Sequence, residues 1–160
     1  MKNIKGLLAW LSITFIAAGL GAYASASAVT FYSKLQKPSW APPAWLFGPV
    51  WTVLYILMAI AAWLVWRKSG WQNARRGLTL YCVQLLLNAL WTWFFFVWHQ
   101  GAIASFEIVM LWLVILATLL DFWRTYKVAG TFLIPYLLWV SFATALSWNL
   151  WLHNPILQFA

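Results

Sequence analysis

Five long apolar segments, separated by short polar interruptions, account for most of the 160 residues of this chain. Each is about as long as the roughly 20 apolar residues that cross the hydrocarbon core of a bilayer. Because a chain in lipid must satisfy its own backbone hydrogen bonds, each segment is predicted to be an α-helix. The pattern therefore predicts an all-α integral membrane protein, a single domain of residues 1–160 folded as a bundle of five transmembrane helices over 6–31, 48–66, 77–98, 102–122 and 128–152.

The first interruption, residues 32–47, differs from an ordinary linker. It holds three prolines and two tryptophans within a short polar stretch. Proline cannot continue a helix because it lacks the N–H and clashes with the preceding turn. Tryptophan is at the same time typical of the membrane–water interface. We therefore expect a structured cap at the membrane surface.

Composition excludes a soluble domain. The chain is 65% hydrophobic and 8% charged, with a mean hydropathy of +0.81. The sequence has ten Lys and Arg residues but only two acidic residues, Glu107 and Asp121. The basic residues lie at the ends of apolar runs, where they anchor a membrane protein, so no nucleic-acid partner is expected. Cys82 is the single cysteine of the sequence and excludes an intramolecular disulfide.

The distribution of positive charge predicts the orientation in the membrane. The N-terminus and the second and fourth loops carry eight basic residues, whereas the other side has only Lys34 and Lys37. Because basic loops stay in the cytoplasm, we expect a multi-pass protein of the cell (inner) membrane with a cytoplasmic N-terminus. The C-terminus and the first loop are then on the outer side. The eight residues are Lys2, Lys5, Arg67, Lys68, Arg75, Arg76, Arg124 and Lys127.

The first apolar segment allows two interpretations. A basic start, an apolar run and Ala24-Ser25-Ala26 are typical of a cleavable signal peptide. Alternatively, Ala17, Gly21 and Ser25 form a ridge of small residues that lets helices approach closely in lipid. We favour a retained helix, whose ridge is a candidate interface within the bundle or between two copies.

Conventional catalytic chemistry is scarce in this sequence. Glu107 and Asp121 are fourteen residues apart on one predicted helix, or about 21 Å at 1.5 Å per residue, so they cannot act as an acid–base pair. Asp121 is expected to pair with Arg124 at the helix end. Glu107 is either an intramembrane functional acid or a snorkelling side chain. His99 and His153 have no companion ligands, so no metal site and no cofactor are expected.

Neutral polar residues mark the better candidate site. On the third helix Gln84, Asn88, Trp91 and Phe95 fall within about 60° on a helical wheel. On the fifth helix a broad face is shared by Tyr136, Trp139, Ala143 and Ser147, with a kink predicted at Pro135. Polar groups avoid lipid, so these faces are predicted to line an internal cavity rich in aromatic side chains, although simple interhelical hydrogen bonding is an alternative for Asn88.

Three separated motifs resemble the TspO/MBR family, the translocator and tryptophan-rich sensory proteins. They are the first-loop sequence 36–43 with 48–55, the stretch 84–91 followed by three phenylalanines, and the stretch 135–146. The resemblance covers essentially the whole chain in order. It implies a five-helix membrane receptor or sensor, often a homodimer, that binds porphyrins such as protoporphyrin IX and contributes to tetrapyrrole handling and stress response.

The resemblance also implies which residues form the site. By position, the ligand pocket would use Trp51, Asn88, Trp139 and Ala143, with Tyr32, Tyr55 and Trp91 nearby, in addition to the Gln84 and Phe95 of the third-helix stripe. The loop that carries Trp40, Pro42, Pro43 and Phe47 would form its lid. Animal members have a proposed cholesterol motif near the end of the fifth helix. Here Trp148 stands at its tyrosine position and Leu152 at its arginine position, so high-affinity cholesterol binding is not expected.

Two other functions stay open at this stage. Some bacterial members promote light-dependent porphyrin breakdown, in which Trp51 and Trp139 would act as redox partners and the porphyrin would be the substrate. A transporter for tetrapyrroles or other small molecules is the second alternative. It is less favoured because charged or broken helices at mid-membrane, typical of a transport pathway, are nearly absent from this sequence.

Overall fold

The computed structural model of the chain describes residues 2–157. Five of its helices are long and apolar enough to cross a membrane, which confirms the predicted all-α bundle. The short helix α2 is the exception. In chain order the helices are α1 (Lys2–Ala24), α2 (Ala28–Lys34), α3 (Phe47–Asn73), α4 (Arg75–Thr92), α5 (Gly101–Thr125) and α6 (Lys127–His153).

The first predicted helix is divided in two. It was expected to run over 6–31, but α1 ends at Ala24 and a turn over 25–27 separates it from α2. The turn contains two serines, which compete with the backbone for hydrogen bonds and favour helix ends. The predicted first loop is shorter than 32–47, since its ends belong to α2 and α3. We call residues 35–46 the lid loop.

Two other helices depart from regular geometry. α3 passes through Gly70, whose φ of +68° is accessible to glycine at little cost. α4 ends at Thr92, and a π-helix over Trp93–Val97 continues the third span in place of the α-helix expected to 98. α6 is continuous from Lys127 to His153 with Pro135 inside it. π-Helical turns are frequent at functional sites, and this one carries Phe95 toward the interior.

α1 is packed into the bundle through its small and polar residues. Its Thr14 hydroxyl lies 2.6 Å from the hydroxyl of Tyr81 on α4. The indole N–H of Trp63 on α3 donates to the carbonyl of Asn3 at 2.9 Å. Gly21 lies against Thr92, where an added Cβ would be 3.4 Å from the hydroxyl oxygen. Gly21, one member of the small-residue ridge, therefore packs within the bundle.

α4, α5 and α6 form consecutive antiparallel pairs. Ser105 and Ser147 face each other across α5 and α6 with hydroxyl oxygens 3.3 Å apart. Across α4 and α5, the Asp121 carboxylate lies against Gly77, in the first turn of α4. The expected ion pair between Asp121 and Arg124 does not form among the described residues. The positive end of the α4 dipole takes the place of that partner.

Candidate functional site

An internal cavity of about 560 Å³ occupies the half of the bundle next to the lid loop. This volume is within the range of small-molecule and cofactor sites. Its wall comes from α1, α2, α3, α4, the π-helix and α6, with Ser25 from the turn after α1 and Ala44 from the lid loop. The lining residues on which the site depends are Phe15, Gly19, Gly21, Tyr32, Ala44, Phe47, Trp51, Tyr55, Asn88, Trp91, Thr92, Phe95, Trp139, Ala143 and Ser147.

Two groups of packed aromatic rings contribute to the wall. In one group Trp51 lies 5.5 Å from Tyr55 and 6.0 Å from Tyr136, measured between ring centroids. In the other, Trp91 stacks on Phe95 at 5.1 Å with their planes 16° apart. Aromatic contacts of this kind pack tightly and hold their rings in fixed orientations. The cavity therefore offers flat apolar surfaces suited to a planar ligand.

The floor of the cavity is formed by Tyr55 and Asn88, which belong to a hydrogen-bonded chain of three polar side chains. The hydroxyl of Tyr55 donates to the side-chain oxygen of Asn88 at 2.8 Å, and the amide nitrogen of Asn88 donates to the hydroxyl of Tyr136 at 2.9 Å. Asn88 is only 4% exposed. These bonds join α3, α4 and α6 and satisfy most of the polar capacity of the floor.

Trp139 and Ala143 form the α6 side of the cavity, one helical turn apart. The Trp139 ring lies 5.9 Å from that of Phe47 and 5.6 Å from that of Phe142. The small side chain of Ala143 leaves room beside the indole. Within residues 2–157, the indole N–H groups of Trp91 and Trp139 are buried and have no hydrogen-bond acceptor.

The lid loop is held to the helices by its polar groups. The ammonium of Lys37 donates to the carbonyls of Tyr32 and Leu35 at 2.9 and 3.0 Å, at the end of α2. The Tyr32 hydroxyl donates to the Pro42 carbonyl at 3.1 Å. Burial raises the pKa of Tyr32 above its ordinary value, so the phenol keeps the proton that this bond needs.

A second attachment comes from the C-terminal end of α6. The Asn154 side chain accepts a 2.7 Å hydrogen bond from the Gln36 amide and donates one of 3.0 Å to the Gln36 carbonyl. Asn154 is 4% exposed and also donates to the carbonyl of Leu150 at 2.8 Å. We call the paired bonds between Asn154 and Gln36 the Asn154 clasp. The sequence alone does not reveal this contact, because the two residues are 118 positions apart.

Aromatic contacts complete the attachment of the lid loop. Trp40 packs edge-on against Phe142 of α6 with centroids 5.6 Å apart. Phe47, at the start of α3, makes a similar contact with Tyr32 at 5.6 Å. Phe47 and Ala44 reach the cavity wall, whereas Trp40, Pro42 and Pro43 do not line it.

The structure brings together eight of the nine residues assigned to ligand binding from the sequence. They are Tyr32, Trp51, Tyr55, Asn88, Trp91, Phe95, Trp139 and Ala143. Gln84 is the exception: it is completely buried in α4, and neither atom of its amide has a partner within the described chain. It lies one turn, about 6 Å, beyond Asn88 and so below the polar floor.

Glu107 and the small residues of α1 are the two remaining features whose role the sequence left open. Glu107 lies outside the cavity wall, and both its carboxylate oxygens are buried without a hydrogen-bond partner among residues 2–157. The contribution of α1 and the following turn to the wall, from Phe15 to Ser25, was not predicted. Two members of the small-residue ridge, Gly21 and Ser25, line the cavity.

Fold and cavity together define an all-α membrane protein with an internal aromatic pocket beneath a tethered loop. The sequence model of the TspO/MBR family matches residues 9–152. The chain belongs to this family. The family and the names of its relatives support a membrane receptor or sensor role.

Relatives from distant organisms cover most of the chain. The tryptophan-rich protein TspO of Chlorobaculum tepidum is 42% identical, over 78% of this chain and 80% of its own length. The tryptophan-rich sensory protein of Cereibacter sphaeroides is 38% identical, over 87% and 88% respectively. The human translocator protein is 37% identical, over 78% of this chain and 75% of its own length.

Proposed function

We propose that this protein is a membrane receptor or sensor that binds porphyrins, such as protoporphyrin IX, in the aromatic cavity. The observation that carries the proposal is the arrangement of Trp51, Trp91 and Trp139 around one space of about 560 Å³. A porphyrin is large, flat and mainly apolar. Its burial between these rings contributes about 25 cal/mol per Å² of apolar area removed from water.

The polar groups of the site fit a ligand that contributes few hydrogen bonds of its own. Asn88 is already bonded to Tyr55 and Tyr136, so the floor is preorganised and polar without needing the ligand. The ligand would contact the floor at its edge and the tryptophan rings on its faces. Affinity would then come mainly from apolar contact, as in most small-molecule pockets.

The orientation expected from charge is part of the proposal. The start of α1, the α3–α4 junction and the α5–α6 junction lie at the end of the bundle opposite the lid loop, and these three regions carry eight of the ten basic residues. Arg67 and Lys68 pack there over the rings of Trp63 and Tyr126. We place this end of the bundle on the cytoplasmic side of the inner membrane and the lid loop on its outer side. The family resemblance also leads us to expect a homodimer.

Light-dependent porphyrin breakdown is the second candidate. It is favoured by one observation, that Trp51 and Trp139 both lie on the wall of the same cavity, where an excited ligand would contact them. Illumination of the complexes formed by Trp51→Phe and Trp139→Phe tests it. Phenylalanine keeps an aromatic surface but is harder to oxidise, so breakdown should slow while binding in the dark persists. Breakdown at the unmodified rate in both variants would contradict this second function.

A titration in the dark tests the binding proposal. Purified protein in detergent is titrated with protoporphyrin IX while tryptophan fluorescence is followed. We expect saturable quenching that Trp139→Ala weakens at least tenfold, whereas Trp112→Ala leaves the affinity unchanged. Trp112 is a suitable control because it lies outside the cavity and donates to Ser141 on α6. Quenching that never saturates, or that responds equally to both substitutions, would indicate partitioning into the micelle and contradict the proposal.

A further inference from the structure

The exposed part of the cavity wall lies on one side of the bundle. All the lining residues from α4, the π-helix and α6 are buried or half-buried. The exposed ones come only from α1, α2 and the first two turns of α3. They are Phe15, Gly19, Ala22, Val29, Gly48 and Thr52. The cavity therefore opens sideways between α1–α2 and α3, through a gap that we call the side opening.

The rim of the side opening is made of residues that leave space. A Cβ atom added at Gly19 or at Gly48 would have no neighbour within 4 Å. Glycines in membrane helices usually allow close helix contact, as Gly6 does here against Trp66. Gly19 and Gly48 make no such contact, so packing does not explain them. They keep the gap between α1 and α3 open.

The side opening lies at the depth of lipid hydrocarbon. Gly19 is five residues and Phe15 nine residues from the end of α1 at Ala24, or about 8 and 14 Å along the helix axis. Both residues, and Thr52 on α3, belong to segments with the length and composition of membrane spans. Since the hydrocarbon core is about 30 Å thick, the opening faces acyl chains of the leaflet next to the lid loop.

The alternative route, through the lid loop, is closed by hydrogen bonds. A ligand arriving from water would have to separate the Asn154 clasp and the bond between Tyr32 and Pro42. It would also have to displace Trp40 from Phe142. Passage through the side opening breaks none of these contacts.

We propose that the side opening is the route by which ligands enter and leave the cavity, directly from the bilayer. The proposal rests on the proposed function and specifies the class of ligand. The protein takes molecules that dissolve in the leaflet next to the lid loop, and the lid loop serves as a fixed roof. A planar molecule too polar to enter that leaflet is not delivered, even if it fits the cavity.

Blocking the rim tests this route. The protein in lipid nanodiscs is mixed with vesicles that contain protoporphyrin IX, and tryptophan quenching gives the rates of association and dissociation. In Gly19→Phe we expect both rate constants to fall at least tenfold, because the ring fills the gap. Leu20→Phe is the matched control, since Leu20 is exposed on the same helix but does not line the cavity. Gly48→Phe repeats the test from α3 should the first variant fold poorly.

The outcomes separate this inference from the proposed function. If the unmodified protein does not bind saturably, the proposed function fails. If it binds but Gly19→Phe and Gly48→Phe keep its rates, the side opening is not the route. A higher dissociation rate with unchanged association would mean that Gly19 only contacts the ligand, which also overturns the proposal. Asn154→Ala should leave both rates unchanged, and a tenfold acceleration in that variant would place the route through the lid loop instead.

Discussion

The hydroxyl of Tyr55 donates a 2.8 Å hydrogen bond to the side-chain oxygen of Asn88, joining α3 to α4 beneath the cavity. The same Asn88 side chain reaches Tyr136 on α6 through its nitrogen. Asn88 therefore acts both as the floor of the pocket and as a tie between three helices. A substitution there is expected to change stability as well as binding.

The first prediction concerns this tie. Asn88→Leu leaves the hydroxyls of Tyr55 and Tyr136 buried without partners, so we expect the free energy of unfolding to fall by about 1–3 kcal/mol. Unfolding in mixed micelles at increasing denaturing detergent measures it. Tyr55→Phe alone should cost less, and the two substitutions together should cost less than their sum because they remove the same bond. Additive losses would contradict the shared bond.

Gln84 should behave in the opposite way. Its amide is fully buried and has no hydrogen-bond partner within residues 2–157. Replacing an unsatisfied polar group by an apolar one of similar shape removes a desolvation cost of about 1–3 kcal/mol. Gln84→Met is therefore expected to leave the protein as stable as before or to stabilise it, in the same unfolding assay. A clear loss of stability would show that Gln84 has a bonded partner in the membrane.

The third prediction concerns the contact between α4 and α5. A Cβ added at Gly77 would lie 2.5 Å from a carboxylate oxygen of Asp121 and 3.1 Å from the ring of Phe122. We expect Gly77→Ala to destabilise the protein by about 1–3 kcal/mol, as overpacking does. Gly19→Ala is the control, because nothing lies within 4 Å of its added Cβ.

Combining Asp121→Ala with Gly77→Ala tests whether the two residues are in contact. Asp121→Ala removes the nearer of the two obstacles, so it should recover part of the loss caused by Gly77→Ala. Contacting residues of this kind show coupling energies of about 0.5–3 kcal/mol. If Asp121→Ala adds its own cost in full to that of Gly77→Ala, the two residues are not in contact.

The Asn154 clasp predicts a local change in hydrogen exchange. Asn154→Ala removes both bonds to Gln36, and we expect amides of residues 35–43 to exchange at least about fivefold faster, because even one net hydrogen bond contributes roughly 1 kcal/mol. Exchange in α3 and α4 should not change. Asn149→Ala, on the same α6 helix, is the matched control. Unchanged exchange at Gln36 would mean that other contacts hold the lid loop without the clasp.

Hydropathy and charge predicted the fold almost completely, because lipid forces every spanning segment into a helix. They did not predict local breaks such as the turn after Ala24 or the π-helix from Trp93. Those depend on competition between side-chain and backbone hydrogen bonds and on packing that a hydropathy pattern does not contain. Asp121 shows the same limit: its neighbour along the helix is Arg124, but its contact is Gly77 on another helix.

The sequence predicted site residues correctly where their angular position around a helix alone determines whether they line the cavity. Asn88, Trp91 and Phe95 share a face of the third span and line the cavity. Gln84 shares that face too, yet it lies below the floor, because a helical wheel gives direction and not depth. The Asn154 clasp joins residues that are 118 positions apart, so the local sequence around neither residue predicts it.

The affinity for protoporphyrin IX of two alanine variants on one helix tests the central claim most directly. Ala143 lines the cavity beside Trp139, whereas Ala145, two residues further along α6, is exposed on the outer surface of the bundle. Equilibrium quenching titrations of Ala143→Phe and Ala145→Phe are compared with the unmodified protein. We predict that Ala143→Phe weakens binding at least tenfold, because the added ring fills the ligand space, and that Ala145→Phe binds normally. Equal affinity of the two variants would contradict binding in this cavity.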